Sequence, residues 1–104
     1  MKNPDNANYG TKGGNDTTDR IFLLSIEETE QYFADDEARK SRPTTYAKNN
    51  GADVYEGTAW WWLRSPGRSD ISAAGVNTGG SLSCIGGSVY FTSGSVRPAF
   101  WLNL

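Results

Sequence analysis

Residues 65–96 constrain the fold of this chain more than any other part of the sequence. These 32 residues contain no Lys, Glu, Gln, Met, Trp or His, and their only charged side chains are Arg68 and Asp70. Glycines at 79–80, 86–87 and 94 separate short runs that include Val, Leu and Tyr, as tight hairpins require. The pattern predicts short antiparallel strands at 73–76, 81–83, 88–90 and 96–102.

Helix signals are confined to the first half of the chain. Ser25 and Glu28 form an S-x-x-E capping box, which predicts a helix beginning at Ile26. The acidic run 35–37 would oppose the dipole at the end of that helix, so we expect fraying near Asp36. Pro43 at a first helical position and Gly51 as a left-handed cap indicate a second short helix.

Two apolar runs, 21–24 and 60–63, are typical of buried strands, and the breaker 65–67 follows the second. Strand alternation places Trp60 and Trp62 on the face opposite Trp61. The three indoles could form a sugar-stacking platform, but core packing is favoured. Helices followed by strands predict an α+β fold, with two short helices before a small twisted antiparallel sheet that has long hairpin loops.

The first 19 residues are mostly Asn, Asp, Gly, Thr and Lys, a composition that favours turns. We expect an irregular segment over 1–19, anchored at most by Tyr9. The remaining 20–104 fit one domain with a single small, aromatic-rich core.

Residue counts argue against several kinds of chemistry. With one cysteine and no histidine, the chain can form neither an internal disulfide nor a multi-cysteine zinc site, and nothing evident would activate Cys84. The runs 3–6 and 35–37 lack the ligand spacing of a calcium loop. We therefore expect no enzyme activity, no metal and no cofactor, and a passive loop thiol at Cys84.

The charge pattern and hydropathy also limit the expected partners. A net charge of -2 without a basic stripe argues against nucleic acid. No apolar stretch approaches the roughly 18 residues of a membrane span. The residues that follow Met1 are polar, whereas a signal peptide has an apolar stretch there. We expect a soluble chain that carries no signal peptide and does not insert into a membrane.

Several segments resemble a bacterial domain family of unknown function with a C-type lectin fold, related to the formylglycine-generating enzymes. The resemblance covers most of 15–104 and rests on TTDRIFLLSIEETEQYF, RPTTYA, WWLRSPG, AAGV and SVRPAFWLNL. The oxidases of that fold use paired cysteines, so the resemblance does not imply their activity here. Arg64 and Arg97 lie inside the WWLRSPG and VRPA motifs, where a structural role is favoured over an anionic ligand site.

Family members include targets of diversity-generating retroelements, in which adenine mutagenesis of Asn codons yields Ser, Gly, Asp, Ile, Tyr, Phe, Cys, Thr and Arg. Residues 65–96 can all be written with pyrimidine-ended codons, which accords with that palette. The resemblance implies a binding surface over 68–95. The expected variable, ligand-contacting residues, here called the candidate positions, are Arg68, Ser69, Asp70, Ile71, Ser72, Gly75, Cys84, Ile85, Gly87, Ser88, Tyr90, Phe91, Ser93 and Ser95.

Such a surface is expected to bind a macromolecule, either a protein or a cell-surface glycan, with Tyr90 and Phe91 as rigid anchors. The alternative is an accessory or cell-surface glycan-binding or structural domain without diversification. Family members usually carry more sequence before the part that resembles 1–20. If the chain is a fragment, exposed apolar surface would favour pairing with a second copy. The sequence does not determine the compartment, and display on a cell or phage surface stays open.

Overall fold

The computed structural model describes residues 1–102, and the predicted α+β class is confirmed. Three short helices precede five strands, so the structure has one helix more than predicted. The helices are α1 (Ile26–Tyr32), α2 (Asp36–Arg39) and α3 (Thr45–Asn49). The strands are β1 (Val54–Tyr55), β2 (Thr58–Ala59), β3 (Trp61–Pro66), β4 (Ser72–Val76) and β5 (Leu82–Ser88). β1 and β2 form a small hairpin, and β3–β4–β5 form an antiparallel sheet in chain order.

Helix α1 begins at Ile26, as the capping box predicts. Ser25 Oγ accepts the Glu28 N–H at 3.1 Å, and the Glu28 carboxylate accepts the Ser25 N–H at 2.9 Å. The helix ends at Tyr32, before the acidic run. The predicted fraying near Asp36 is wrong, because Asp35 accepts the Ala38 N–H and caps α2, whose first turn favours negative charge.

The second predicted helix is α3, but it starts later than expected. Thr44 is the N-cap and its hydroxyl accepts the Ala47 N–H, so Pro43 lies outside the helix rather than at its first position. Gly51 has φ +95°, which is the left-handed conformation predicted for it.

The strand predictions are correct for β4 and for 61–63 of β3, which continues through Ser65 and Pro66 instead of breaking there. The other strand predictions need correction. The sequence predicts two separate strands at 81–83 and 88–90. The structure has one strand instead, β5, which continues through Gly86 and Gly87 rather than turning there. Gly86 takes φ +79° beside an irregularity in the β4–β5 register. The segments 21–24 and 96–102 form no strand and contribute only isolated bridges, such as Phe22 with Ala99.

The core lies between α1 and one face of the three-stranded sheet. Its buried members, here called the core cluster, are Ile26, Trp61, Leu63, Ala74 and Val76. Trp61 and Leu63 alternate with half-buried residues along β3, as predicted. Trp61 also donates its indole N–H to the Arg39 carbonyl at 3.0 Å. Core packing, rather than sugar stacking, is therefore confirmed for Trp61.

The irregular N-terminal segment is anchored by Asn6, and the expected anchor, Tyr9, is exposed. The buried Asn6 amide donates to the carbonyls of Pro66 at 2.9 Å, Gly67 at 3.3 Å and Cys84 at 2.9 Å. These carbonyls come from β3, β5 and the loop that follows β3. The segment therefore supports the end of the sheet from which the candidate loops emerge.

Both motif arginines contact the framework, and Arg64 has the predicted structural role. Arg64 donates to the carbonyls of Leu23 and Lys2 and forms an ion pair with Glu28. Arg97 stacks over the rings of Phe33 and Trp61, with its guanidinium carbon 5.0 Å from each ring centre. Within residues 1–102, no helix has the length and apolar character needed to cross a membrane.

Candidate functional site

Most candidate positions come together at one end of the β3–β4–β5 sheet. The loop 67–72 connects β3 to β4, and 85–91 includes the end of β5 and the turn after it. Backbone bonds join these segments: the Arg68 N–H donates to Ile85 O, and the Val89 N–H donates to Ile71 O, both at 2.9 Å. We call the segments 67–72 and 85–91 together the candidate surface.

Five large apolar side chains project from this surface into solvent: Val89, which is 51% exposed, and four at candidate positions. The exposed fractions are 53% for Ile71, 50% for Ile85, 76% for Tyr90 and 56% for Phe91. Because a buried position would exclude ligand contact, these fractions are the decisive observation for the site. The backbone beneath them is ordered, since Ser72 pairs with Ser88 in the sheet.

The polar candidate positions divide between those that fix the loop and those that point outwards. Ser72 Oγ accepts the Ser69 N–H at 3.0 Å and lies 3.2 Å from the Ser69 carbonyl, to which it donates. Ser72 therefore holds the loop in shape. Arg68 and Asp70 are exposed and leave both charge signs available to a ligand.

Four candidate positions lie apart from this cluster. Gly75 is buried in β4, and Cys84 packs against the core cluster from β5, so the expectation of a loop thiol is wrong. Ser93 and Ser95 belong to the segment that follows the candidate surface. Ser95 pairs with β3 through its backbone, donating to Trp60 O at 3.1 Å and accepting the Trp62 N–H at 3.0 Å.

A cleft of about 230 Å³ adjoins the candidate surface on the side of the sheet where Trp60 lies. Trp60 and Phe91 contribute aromatic walls, and Gly86 and Gly87 contribute bare backbone. Sequence reasoning identified Gly75, Gly87 and Phe91 but missed the other lining residues, which are Trp60, Val76, Asn77, Ser83 and Gly86. Strand alternation had placed Trp60 on this face, but nothing in the sequence showed how the later loop would fold over it.

The indoles of Trp60 and Trp62 support that loop from below. Their ring centres lie 4.6 Å apart in an edge-to-face arrangement. Gly94 passes so close to both rings that a methyl group at its Cα would overlap them. The absence of a side chain at 94 therefore permits the loop to pack against the pair.

The arrangement is suited to contact recognition. It combines exposed aromatic and aliphatic groups, small hydroxyls, two oppositely charged side chains and a shallow aromatic cleft, which is the mixture found in adaptable paratopes. Its area is built on strand-ends and short turns rather than on long free loops.

Comparison with known proteins yields one match. A family model described as Domain of unknown function (DUF6273) matches residues 1–104. No curated protein and no solved structure matches the chain.

Proposed function

The chain belongs to the DUF6273 family, and we propose that it is a binding protein whose 68–95 surface recognises a macromolecular ligand. In this proposal the domain has a C-type lectin-like fold, and a diversity-generating retroelement varies the exposed side chains. The ligand is a protein or a cell-surface glycan. No catalytic step is part of the function.

The observation that carries the proposal is the exposure of Ile71, Ile85, Tyr90 and Phe91 on adjoining, hydrogen-bonded segments. Fully burying an apolar side chain yields about 1.5–3 kcal/mol, of which these four, at least half exposed, gain only a part within residues 1–102. Contiguous exposed apolar groups with a polar surround are typical of interaction sites. A partner that covers them would supply that missing stabilisation.

In this proposal the motif residues form the fixed framework of the domain. Trp61 and Leu63 of the WWLRSPG motif lie in the core, and Arg64 of the same motif joins the N-terminal segment to α1. Arg97 of VRPA packs against Trp61. A framework held by these contacts would leave the intervening loop residues free to change.

Diversification would affect the fourteen candidate positions unequally. Changes at Ile71, Tyr90 or Phe91 alter solvent-exposed groups, whereas Cys84 packs against the core cluster. At Gly75 a Cβ atom would lie 3.1 Å from the Trp61 carbonyl oxygen, which leaves little space. The proposal therefore assigns ligand contact chiefly to the candidate surface.

The test of diversification is the coding DNA of the locus. We expect a near-identical repeat close to the 3′ end of the coding region, and the two copies should differ only where the repeat has adenine. Differences should concentrate at codons 68–72 and 85–95. A complete locus without such a repeat would contradict diversification by a retroelement. So would two copies that differ at positions where the repeat has any of the four bases.

The second candidate function is a fixed glycan-binding or structural domain on the same scaffold. The Trp60–Phe91 cleft favours it, because aromatic walls beside Asn77 and Ser83 provide stacking faces and hydrogen-bonding groups for a sugar. Trp61→Ala is unsuitable as a test, since Trp61 is buried. Loss of glycan-array binding in Phe91→Ala, but not in Tyr55→Ala at another exposed position, would favour this function.

A further inference from the structure

A separate cavity of about 440 Å³ lies between the segment 41–52, which contains α3, and the segment 92–98. Its volume falls within the range of roughly 300–1,000 Å³ that is usual for small-ligand sites. None of the residues that line it belongs to the candidate surface. A ligand here would need none of the exposed apolar groups of that surface.

The charged groups around this cavity are all positive. Arg42 and Arg97 line it, and no Asp or Glu does so among residues 1–102. Over the same part of the chain, Arg39 and Arg64 have carboxylate partners, whereas neither arginine of the cavity has one within ion-pair distance. The cavity therefore offers uncompensated positive charge.

Arg97 is also held in place before any ligand arrives. Its guanidinium is stacked on Phe33 and Trp61. Within residues 1–102 its side chain makes one long hydrogen bond of 3.4 Å, from Nη1 to the Arg39 carbonyl. A guanidinium has five N–H donors in a fixed fork. Most of those donors remain for an anionic group, and little side-chain entropy is lost in using them.

The remaining lining groups indicate what kind of anion would fit. Ser41 and Tyr46 contribute hydroxyls, and Pro43, Val96 and Pro98 contribute small apolar surfaces. Alternating hydroxyl and C–H surfaces match a sugar ring, and the guanidinium forks match a carboxylate or a phosphate. We propose that this cavity binds an acidic sugar, with Arg97 and Arg42 at the anionic group.

The experiment titrates the isotopically labelled chain with three probes, glucuronate, glucose 6-phosphate and glucose, and follows the backbone amide resonances. We expect saturable shifts at 41–50 and 95–97 with at least one acidic sugar, and much weaker shifts with neutral glucose. Glucuronate alone would identify a carboxylate site, and glucose 6-phosphate alone a phosphate site. Equal binding of glucose, or the absence of any saturable shift in these segments, would overturn the proposal.

One substitution and its control test the named charge contact. Arg42→Gln should weaken binding about fivefold, the effect of one exposed charge contact, whereas the charge-matched Arg68→Gln should leave it unchanged. Equal losses for Arg42→Gln and Arg68→Gln would indicate a general charge effect and contradict the site.

Discussion

Two regions of the same three-stranded sheet carry large apolar side chains under opposite conditions. On one face, Trp61, Leu63 and Val76 are almost completely buried against α1. At the end of the sheet, Ile71, Ile85 and Phe91 stand at least half in solvent. The difference teaches that apolar character alone does not identify the core of this chain, and that the two groups should respond differently to substitution.

The largest expected difference is between Trp61→Ala and Phe91→Ala. Trp61→Ala should lower the free energy of unfolding by about 3–5 kcal/mol, because it leaves a cavity and removes the indole bond to Arg39. Phe91→Ala should cost less than about 1 kcal/mol. Urea unfolding measures both. If Trp61→Ala does not fold, Trp61→Phe provides the comparison. Equal losses of unfolding free energy at Trp61 and Phe91 would contradict the distinction between the core and the exposed region.

Neighbouring glycines in β5 sharpen the same contrast. Gly86 has φ +79°, and a methyl group there would overlap the Ala73 carbonyl, so Gly86→Ala should cost about 2–3 kcal/mol. At Gly87 the added Cβ would lie 3.1 Å from the Phe91 ring, which is exposed and can turn aside. Gly87→Ala should therefore cost under about 1 kcal/mol. Thermal unfolding in which both variants lose the same stability would contradict the assignment of Gly87 to the variable set.

Asn6 extends the comparison to the N-terminal segment. Asn6→Ala should cost about 2 kcal/mol, because it leaves the carbonyls of Pro66, Gly67 and Cys84 without their shared donor. Asn8→Ala is the control, since Asn8 is exposed. Protease digestion should cut the Asn6→Ala protein faster within 1–19. Equal rates for the two variants would show that the segment is not anchored by this amide.

A smaller effect is expected from the ion pair beneath the sheet. Burial tends to raise the pKa of Glu28, but hydrogen bonds from Arg64 and the Ser25 backbone, with the attraction of Arg64, hold this pKa below its ordinary value. A carboxylate whose pKa is lowered by folding stabilises the fold above its unfolded pKa, and this contribution disappears as the pH falls through the folded pKa. Stability should therefore decrease in acid.

Substitution isolates the contribution of that carboxylate. Glu28→Gln should be less stable than the parent chain at pH 7, and the gap should narrow as the pH falls below about 4. Glu30→Gln, at an exposed position of the same helix, is the charge-matched control. Denaturation midpoints across this range measure the effect. A gap that stays constant with pH would contradict the role given to the Glu28–Arg64 pair.

Local signals predicted much of the fold. The capping box located the start of α1, Gly51 marked the end of α3, and strand alternation separated Trp61 from its neighbours. Errors arose where long-range contacts decide. Residues 96–102 have strand-forming side chains, yet Arg97 stacks in the core and the backbone makes only isolated bridges. Asn6 was missed because its three acceptors are about 60 or more positions away.

The candidate site was predictable in composition more than in detail. The residue palette of 65–96 indicated exposed loop positions, and Ile71, Ile85, Tyr90 and Phe91 are exposed in the structure. The same palette could not separate Cys84, which faces the core cluster from β5, from Ile85 beside it, which faces solvent. That distinction depends on the strand register, which shifts between Ala73 and Gly75.

The central claim, that the candidate surface contributes little to folding, is tested most directly by one variant that carries Ile71→Ser, Ile85→Ser, Tyr90→Ser and Phe91→Ser together. Its free energy of unfolding in urea should fall by less than about 2 kcal/mol, since exposed substitutions typically change stability by about 0.5 kcal/mol each. A loss as large as that of Trp61→Ala would mean that these side chains belong to the core, and would contradict the account.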